Sequence, residues 1–385
     1  MDFDVQNLKE AIDRLADAGP LIPADAESIE ALLCQFNRLE AVTTEAVASF
    51  DASGDWALDG ARTVAAWVST RCRLPAGASR HRAHLGRKLR DLPECKRAWS
   101  AGEINAAHVG AIAALSRDTT KEALERDEAV LVDQARSLRF DDFTRSLSYW
   151  DQHADPDGCD EAAEKRRARR DVYLAPSFEG TYLGTMNLDP ISGAIVCDEL
   201  ARLERRLFEA DWAEAKEALG RDPTLSELAR TSAQRRADAL VEMATRSKTA
   251  PVNGQRPAPL FSVLVDYETM HGRMCQLAQG TVVSPGSLLH WLDEATVERA
   301  VFRPGNRVEI SSTTRLFSGA TRRAIELRDR ECTHPYCDIP AHDCQVDHII
   351  PYAEGGQTTQ ENGRLLCGFH NRLRNERPPP GSGSH

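Results

Sequence analysis

Between Cys332 and His370 the chain gathers four cysteines and four histidines, out of 10 and 11 in its 385 residues, interleaved with the pair Asp347-His348 and with Asn362. The spacing is Cys332-x4-Cys337, then a stretch long enough to fold back, then Cys367-x2-His370. Two short-spaced knuckles of this kind can set four nitrogen and sulfur donors tetrahedrally around zinc. Cys332 and Cys337 flank the tight turn His334-Pro335, and Cys367 and His370 share one face if a helix starts there. The segment from Cys332 onward is too short for a strong core of its own, whereas a structural zinc contributes on the order of 10 kcal/mol of folding free energy. Cys344 is a fifth candidate ligand; in a four-cysteine site it would replace His370 and free that histidine for another role.

The elements that must position these donors are legible around them. Asp347-His348-Ile349-Ile350-Pro351 reads as a short strand ended by proline, Glu354-Gly355-Gly356 as a turn, and Leu365-Leu366 as a second strand leading into a helix over Cys367 to Leu373. The result is a ββα unit pinned by zinc. A histidine beside an aspartate at a strand end offers a base next to a ligand for a hard metal ion. Asn371 lies about 100° around the helix from His370 and so can face the strands. This constellation suits metal-assisted phosphodiester hydrolysis.

The combined pattern C-x4-C, D-H-I-I-P, G-G, N, L-L-C-x2-H resembles the zinc-containing HNH endonucleases, the ββα-metal nucleases, over about residues 322–377. The whole chain also resembles a family of bacterial HNH proteins in which a long, mainly helical domain of unknown function precedes this module. Segments such as ARTVAAWVST and QRRADALVEMA carry that second, weaker likeness. By position, the first resemblance implies that His348 is the general base and that Asp347 is a ligand of a catalytic divalent ion. It implies that Asn362 is the middle asparagine, whose side chain fixes the loop holding His348. The third motif position falls on Asn371, where the usual residue is histidine. Asparagine offers a carbonyl oxygen suited to Mg2+ or Mn2+, while a histidine there would favour Ni2+ or Co2+.

Zinc is then structural, held by Cys332, Cys337, Cys367 and His370. Arg364, Arg372, Arg374 and Arg377 surround the unit as candidates for phosphate contact, although segment 321–377 is nearly balanced, with 8 Arg against 9 Asp and Glu. The function implied is a metal-dependent endonuclease acting on DNA, with RNA not excluded. The alternative is a non-catalytic, zinc-stabilised DNA-binding or scaffold protein whose site has degenerated at Asn371. Protein partners are not legible in the sequence.

The bulk of the chain sets limits on these readings. A net charge of −11 argues against a protein that coats nucleic acid through global attraction, so any such contact must be local. Hydrophobic content of 41% and charged content of 28% are ordinary for soluble protein, and the start MDFDVQNLKEAIDRLADAG is acidic and amphipathic, without an apolar run. Neither a signal peptide nor a membrane span is expected, and the location expected is cytoplasmic. Ten cysteines then point to reduced thiols and metal ligands. The scattered Cys34, Cys72, Cys95, Cys159, Cys197 and Cys275 read as small buried hydrophobes.

The fold class expected is α+β, mainly helical. Residues 1–154 carry helical periodicity, as in Ile29, Leu32, Leu33, Phe36, Leu39 and Val42, broken by turn signals. Segment 155–170, closing on Lys165 to Arg170, reads as a linker or exposed helix. Residues 171–318 form a mixed α/β middle region continuing the helical domain: strands around Glu179-Gly180, helices near 195–219 and 225–247, a strand FSVLVDYE, a helix near 287–300 and a strand RVEIS. A helix near 320–330 delivers the chain to the nuclease-like domain, 320–377, and the Pro/Gly/Ser-rich tail 378–385 reads as disordered.

Overall fold

Apolar residues recurring every three or four positions give helices wherever a cap is available to start them. The computed structural model describes residues 2–17, 25–249, 260–266, 275–277, 281–284, 286–287, 296–302, 317 and 319–376. The fold is α+β and mainly helical, and the chain divides into two compact units, Met1–Asp155 and Pro156–His385.

The first unit holds helices α1 (Asp2–Asp17), α2 (Ala26–Ser53), α3 (Val64–Arg71), α4 (Ala76–Lys88), α5 (Pro93–Ala101), α6 (Ala106–Ala114), α7 (Lys121–Ser137) and α8 (Phe140–Ala154). Polar side chains satisfy the orphan amides at several starts: Asp25 accepts from Ser28 N, Thr63 from Ala66 N, and Asn105 forms a capping box with His108. Leu92, Trp99, Ile112, Leu131 and Phe143 make a core in which each side chain is almost wholly shielded from water. Buried Glu128 is satisfied by Cys95 N at 2.8 Å, and burial together with that carboxylate pushes the Cys95 thiol well above its usual range. The stripe Ile29, Leu32, Leu33, Phe36 and Val42 does lie on one helix, but it is exposed.

The second unit opens with α9 (Pro156–Ala168), so the polar stretch is a helix, with Lys165 paired to Glu161 one turn back. A hairpin of β1 (Asp171–Pro176) and β2 (Tyr182–Asn187) turns at Gly180, whose φ of 81° suits glycine. Helix α10 (Pro190–Leu219) starts earlier than its periodicity indicates, because Asp189 caps the amides of Ile191 and Ser192 while Pro190 supplies the first turn. It packs on α11 (Ser232–Thr249), where buried Asp211 takes Arg230 at 2.5 Å. Strands β3 (Leu260–Asp266), β4 (Cys275–Leu277), β5 (Val282–Val283) and β6 (Thr296–Phe302) form a sheet in the order β5-β4-β3-β6, with β3 and β6 parallel.

Two expectations fail in these units. Residues Thr296–Phe302 are a strand, where a helix near 287–300 is expected, because the parallel partner β3 lies far away in sequence and leaves no local periodic signal. Among the six scattered cysteines only Cys95 is buried; Cys72 and Cys197 are exposed, Cys34 and Cys159 partly so, and the Cys275 side chain lies outside the described residues. The RVEIS segment, Arg377 and the tail 378–385 lie outside them as well. Among the described residues no helix is long and apolar enough to cross a membrane.

The C-terminal elements are α12 (Gly319–Asp329), β7 (Cys344–His348), β8 (Gly363–Cys367) and α13 (Gly368–Glu376). Strands β7 and β8 pair antiparallel, from Cys344 opposite Cys367 to His348 opposite Gly363. Phe317, Ile325 and Leu365 are buried beneath them. Helix α12 is tied to β8 by Arg328, which donates to Gly363 O at 2.7 Å, and by Asp329, which accepts from Leu365 N at 2.9 Å.

Candidate metal centre

The loop after α12 and the junction of β8 with α13 bring Cys332, Cys337, Cys367 and His370 together, with all four ligand atoms within 4.8 Å of one another. Around zinc, Zn–S near 2.3 Å and Zn–N near 2.05 Å set tetrahedral edges of about 3.8 Å for S–S and about 3.6 Å for S–N. The edges here are 3.8 Å for Cys337 Sγ to Cys367 Sγ, 3.5 Å for Cys332 Sγ to His370 Nδ1 and 3.3 Å for Cys367 Sγ to His370 Nδ1. The three thiols are buried, and the donor set has the softness and the closed shape of a structural site. A buried Cys3His cluster of these dimensions fits structural zinc.

Cys344 stands apart from it. Its thiol is directed to Ile339 O at 3.4 Å, and burial, followed by the charge of the neighbouring thiols, pushes it up to about 12. The exchange of Cys344 for His370 has no geometric support here. His334, which the sequence offered only as a turn residue, stacks on His370 with ring centroids 3.8 Å apart and planes within 5°.

At the far end of the ladder lies the second group. Asp347 and His348 close β7, and the His348 ring is held by Thr358 Oγ1 at 3.0 Å from Nε2 and by Phe317, whose ring centroid is 4.4 Å away. Thr358 is buried, and neither it nor Phe317 carries a motif signal, since each reaches His348 only through tertiary packing. Asn362 fastens the loop that follows: its Oδ1 accepts from Ile350 N at 2.8 Å, and its Nδ2 donates to Ile350 O at 3.1 Å and Gln357 O at 2.8 Å.

Two glycines make this loop possible. A Cβ on Gly356 would meet Ile350 O at 1.9 Å, and one on Gly363, the ladder partner of His348, would meet Ile325 Cδ1 at 2.3 Å.

Gln345 and Asp347, two apart on β7, present the same strand face, and α13 lies across it. Asn371 Nδ2 donates to Gln345 Oε1 at 2.6 Å, while Arg374, one turn further on, pairs with Asp347 and also donates to Ile349 O at 2.7 Å. Arg364 Nε stands 3.3 Å from the same carboxylate. Asn371 and Asp347 therefore both lie on the α13 side of β7, and Arg364 and Arg374 neutralise the carboxylate. Of the four arginines expected to meet phosphate, Arg364 and Arg374 are turned onto Asp347, Arg372 is exposed, and Arg377 lies outside the described residues.

Comparison with known proteins bears on this geometry. The family model for the domain of unknown function DUF222 matches residues 26–329, and the HNH endonuclease model matches residues 332–372. Among curated proteins, the chain is 26% identical over 269 residues to the uncharacterized protein Rv1128c of Mycobacterium tuberculosis (strain ATCC 25618 / H37Rv), covering 65% of this chain and 57% of that protein. It is 26% identical over 372 residues to the uncharacterized protein Rv3776 of the same strain, covering 84% and 67%. Against the uncharacterized protein Mb1179c of Mycobacterium bovis (strain ATCC BAA-935 / AF2122/97) it is 24% identical over 293 residues, covering 71% and 62%. The chain thus spans 57% to 62% of the length of most of the relatives named here. No solved structure matches. The HNH match gives the C-terminal module a nuclease or nucleic-acid-binding character at the level of the family.

Proposed function

We propose that this chain, which belongs to the DUF222 family and closes with an HNH module, is a metal-dependent endonuclease hydrolysing phosphodiester bonds in DNA. The observation that carries the reading is the α13 side of β7, where Asp347 lies two residues from the Gln345 that Asn371 meets, next in sequence to a fixed His348, on a ladder whose other end bears the Cys3His cluster. In this reading, zinc held by Cys332, Cys337, Cys367 and His370 is structural and leaves no open coordination position. A divalent cation such as Mg2+ or Mn2+, held by the Asp347 carboxylate and the Asn371 amide oxygen, supplies Lewis-acid neutralisation of the charge developing on the phosphate.

The chain's own residues do the rest. Neutral His348 accepts a proton from the attacking water, and Thr358 and Phe317 hold its ring in place. Asn362 fixes the loop from Ile349 to Gln357 against the strand end, so the imidazole keeps its aim. Arg374 must leave the Asp347 carboxylate when a cation is held there, and with Arg364 it becomes available to the substrate phosphate.

The second reading is a non-catalytic, zinc-stabilised nucleic-acid-binding or scaffold protein. One observation favours it: Arg374 already neutralises Asp347, as a degenerate metal site would require.

Relaxation of supercoiled plasmid by the zinc-loaded protein in Mg2+ or Mn2+ separates the two. Cleavage is expected, and His348→Ala lowers its rate about 10²- to 10⁴-fold with zinc content unchanged. Cleavage by the parent is lost at acid pH, because a protonated His348 accepts no proton. A parent that cuts in none of these metals, including Ni2+ and Co2+, establishes the second reading instead.

A further inference from the structure

The metal ligands leave one group of side chains around the zinc cluster unexplained. Tyr336, inside the Cys332–Cys337 turn, is 93% exposed, and Phe369, between the two ligands of the second knuckle, is 63% exposed. Neither is needed to hold the ion. The turn itself is made by backbone groups, Cys337 N donating to His334 O at 3.1 Å.

The two exposed rings are joined through the two histidines. Tyr336 lies against His334 (centroids 6.1 Å apart), His334 stacks flat on His370 (3.8 Å, 5°), and His370 meets Phe369 edge-on (5.0 Å). Isolated exposed aromatics are ordinary on a protein surface, but four successive rings that begin beside the buried Cys3His donors form a contiguous aromatic patch. Their exposure matters, because rings open to solvent leave their faces accessible to a planar ligand.

Arg372 follows Phe369 by three residues on α13, so it shares that helix face; it is exposed and makes no ion pair among the described residues. Flat apolar rings beside an unpaired guanidinium fit one chemistry, the planar base with its attached phosphate. A base within a duplex presents only its edge, whereas an unpaired base presents its face.

We infer that Tyr336 and Phe369, with Arg372 beside them, form a stacking site for unpaired bases, so that the module engages single-stranded segments of its nucleic acid at the zinc knuckle. The inference rests on the nucleic-acid reading of the module and specifies the kind of substrate that the module holds.

The test uses the full chain with zinc bound and no added Mg2+ or Mn2+, so that binding is read without cleavage. Fluorescence anisotropy is measured for labelled 20-nucleotide oligothymidylate, for the matching oligouridylate and for a 20-base-pair duplex. The parent is expected to bind the single strands more tightly than the duplex. Tyr336→Ala and Phe369→Ala each weaken single-strand binding about 5- to 150-fold while the duplex is little affected.

Tyr336→Leu keeps the apolar bulk without an aromatic face and behaves like alanine, whereas Tyr336→Trp retains affinity. Arg372→Ala flattens the salt dependence for single strands by about 0.7 in slope. Zinc content and far-ultraviolet circular dichroism accompany each variant, and the leucine and tryptophan pair keeps the comparison decisive if alanine disturbs the knuckle. Equal single-strand affinity for parent, Tyr336→Leu and Phe369→Ala overturns the inference. A parent that shows the stacking behaviour but cuts nothing in any divalent metal leaves this site standing and removes only the nuclease reading.

Discussion

The helical unit Met1–Asp155 and the C-terminal module obtain a fixed structure by opposite means. In the first, Trp99, Phe143, Leu131 and Ile112 fill a core contributed by several helices, and the chemically capable residues mostly serve that packing. Glu128, for example, spends its carboxylate on the amide of Cys95. In the second, a short pair of strands and two helices bury only a handful of apolar side chains, and four donors around one point take the place of the missing core. A unit that packs well keeps few reactive groups exposed. A unit organised around four metal donors can keep Asp347, His348 and Asn371 partly exposed, outside any apolar core.

The comparison breaks most sharply if zinc is removed. Cys337→Ala, or chelation strong enough to strip the cluster, should cost the module on the order of 10 kcal/mol and unfold it, leaving the helical unit folded. Hydrogen exchange should separate the two, collapsing in 332–376 as zinc is lost while the amides of α5 to α8 keep their protection. Faster exchange in α5 to α8 in step with zinc loss would join what the comparison separates.

The reverse experiment is Phe143→Ala, which opens a cavity in the helical core and should cost about 3 to 5 kcal/mol there. Calorimetry should show the helical transition moving down in temperature with zinc content unaltered. Smallest in energy, and most informative about chemistry, is Asn371→Ala. It should raise the Mg2+ or Mn2+ concentration needed for cleavage without loss of zinc, and Asn371→His should shift preference toward Ni2+ or Co2+. Metal dependence unchanged in both variants would take Asn371 out of the cation site.

The same contrast governs what the sequence reveals. Metal donors work in fixed short spacings along the chain, so Cys332, Cys337, Cys367 and His370 stand out from their order alone, and the mainly helical fold follows from periodicity over 1–154. Cys344 is harder, because it sits directly opposite Cys367 in the ladder and only the path of the loop through Ile339 turns its thiol elsewhere. Strand β6 is illegible for a different reason: its partner β3 lies more than thirty residues earlier, and nothing local distinguishes it from a helix. Thr358, Phe317 and Gln345 touch the candidate site through tertiary contacts alone, so no spacing rule selects them.

The β7–β8 ladder carries Cys367 at one end and His348 at the other, five residue pairs in all. At about 3.4 Å per residue the two ends stand about 14 Å apart, a length written in whole residues. Strand faces alternate, so losing a single residue between Cys344 and His348 would do more than shorten this interval. It would exchange the sides on which acid and imidazole project, presenting His348 to helix α13 and burying Asp347 against Phe317. The module is in this sense indexed: the Cys3His cluster at one end sets the zero from which the position of His348 is counted.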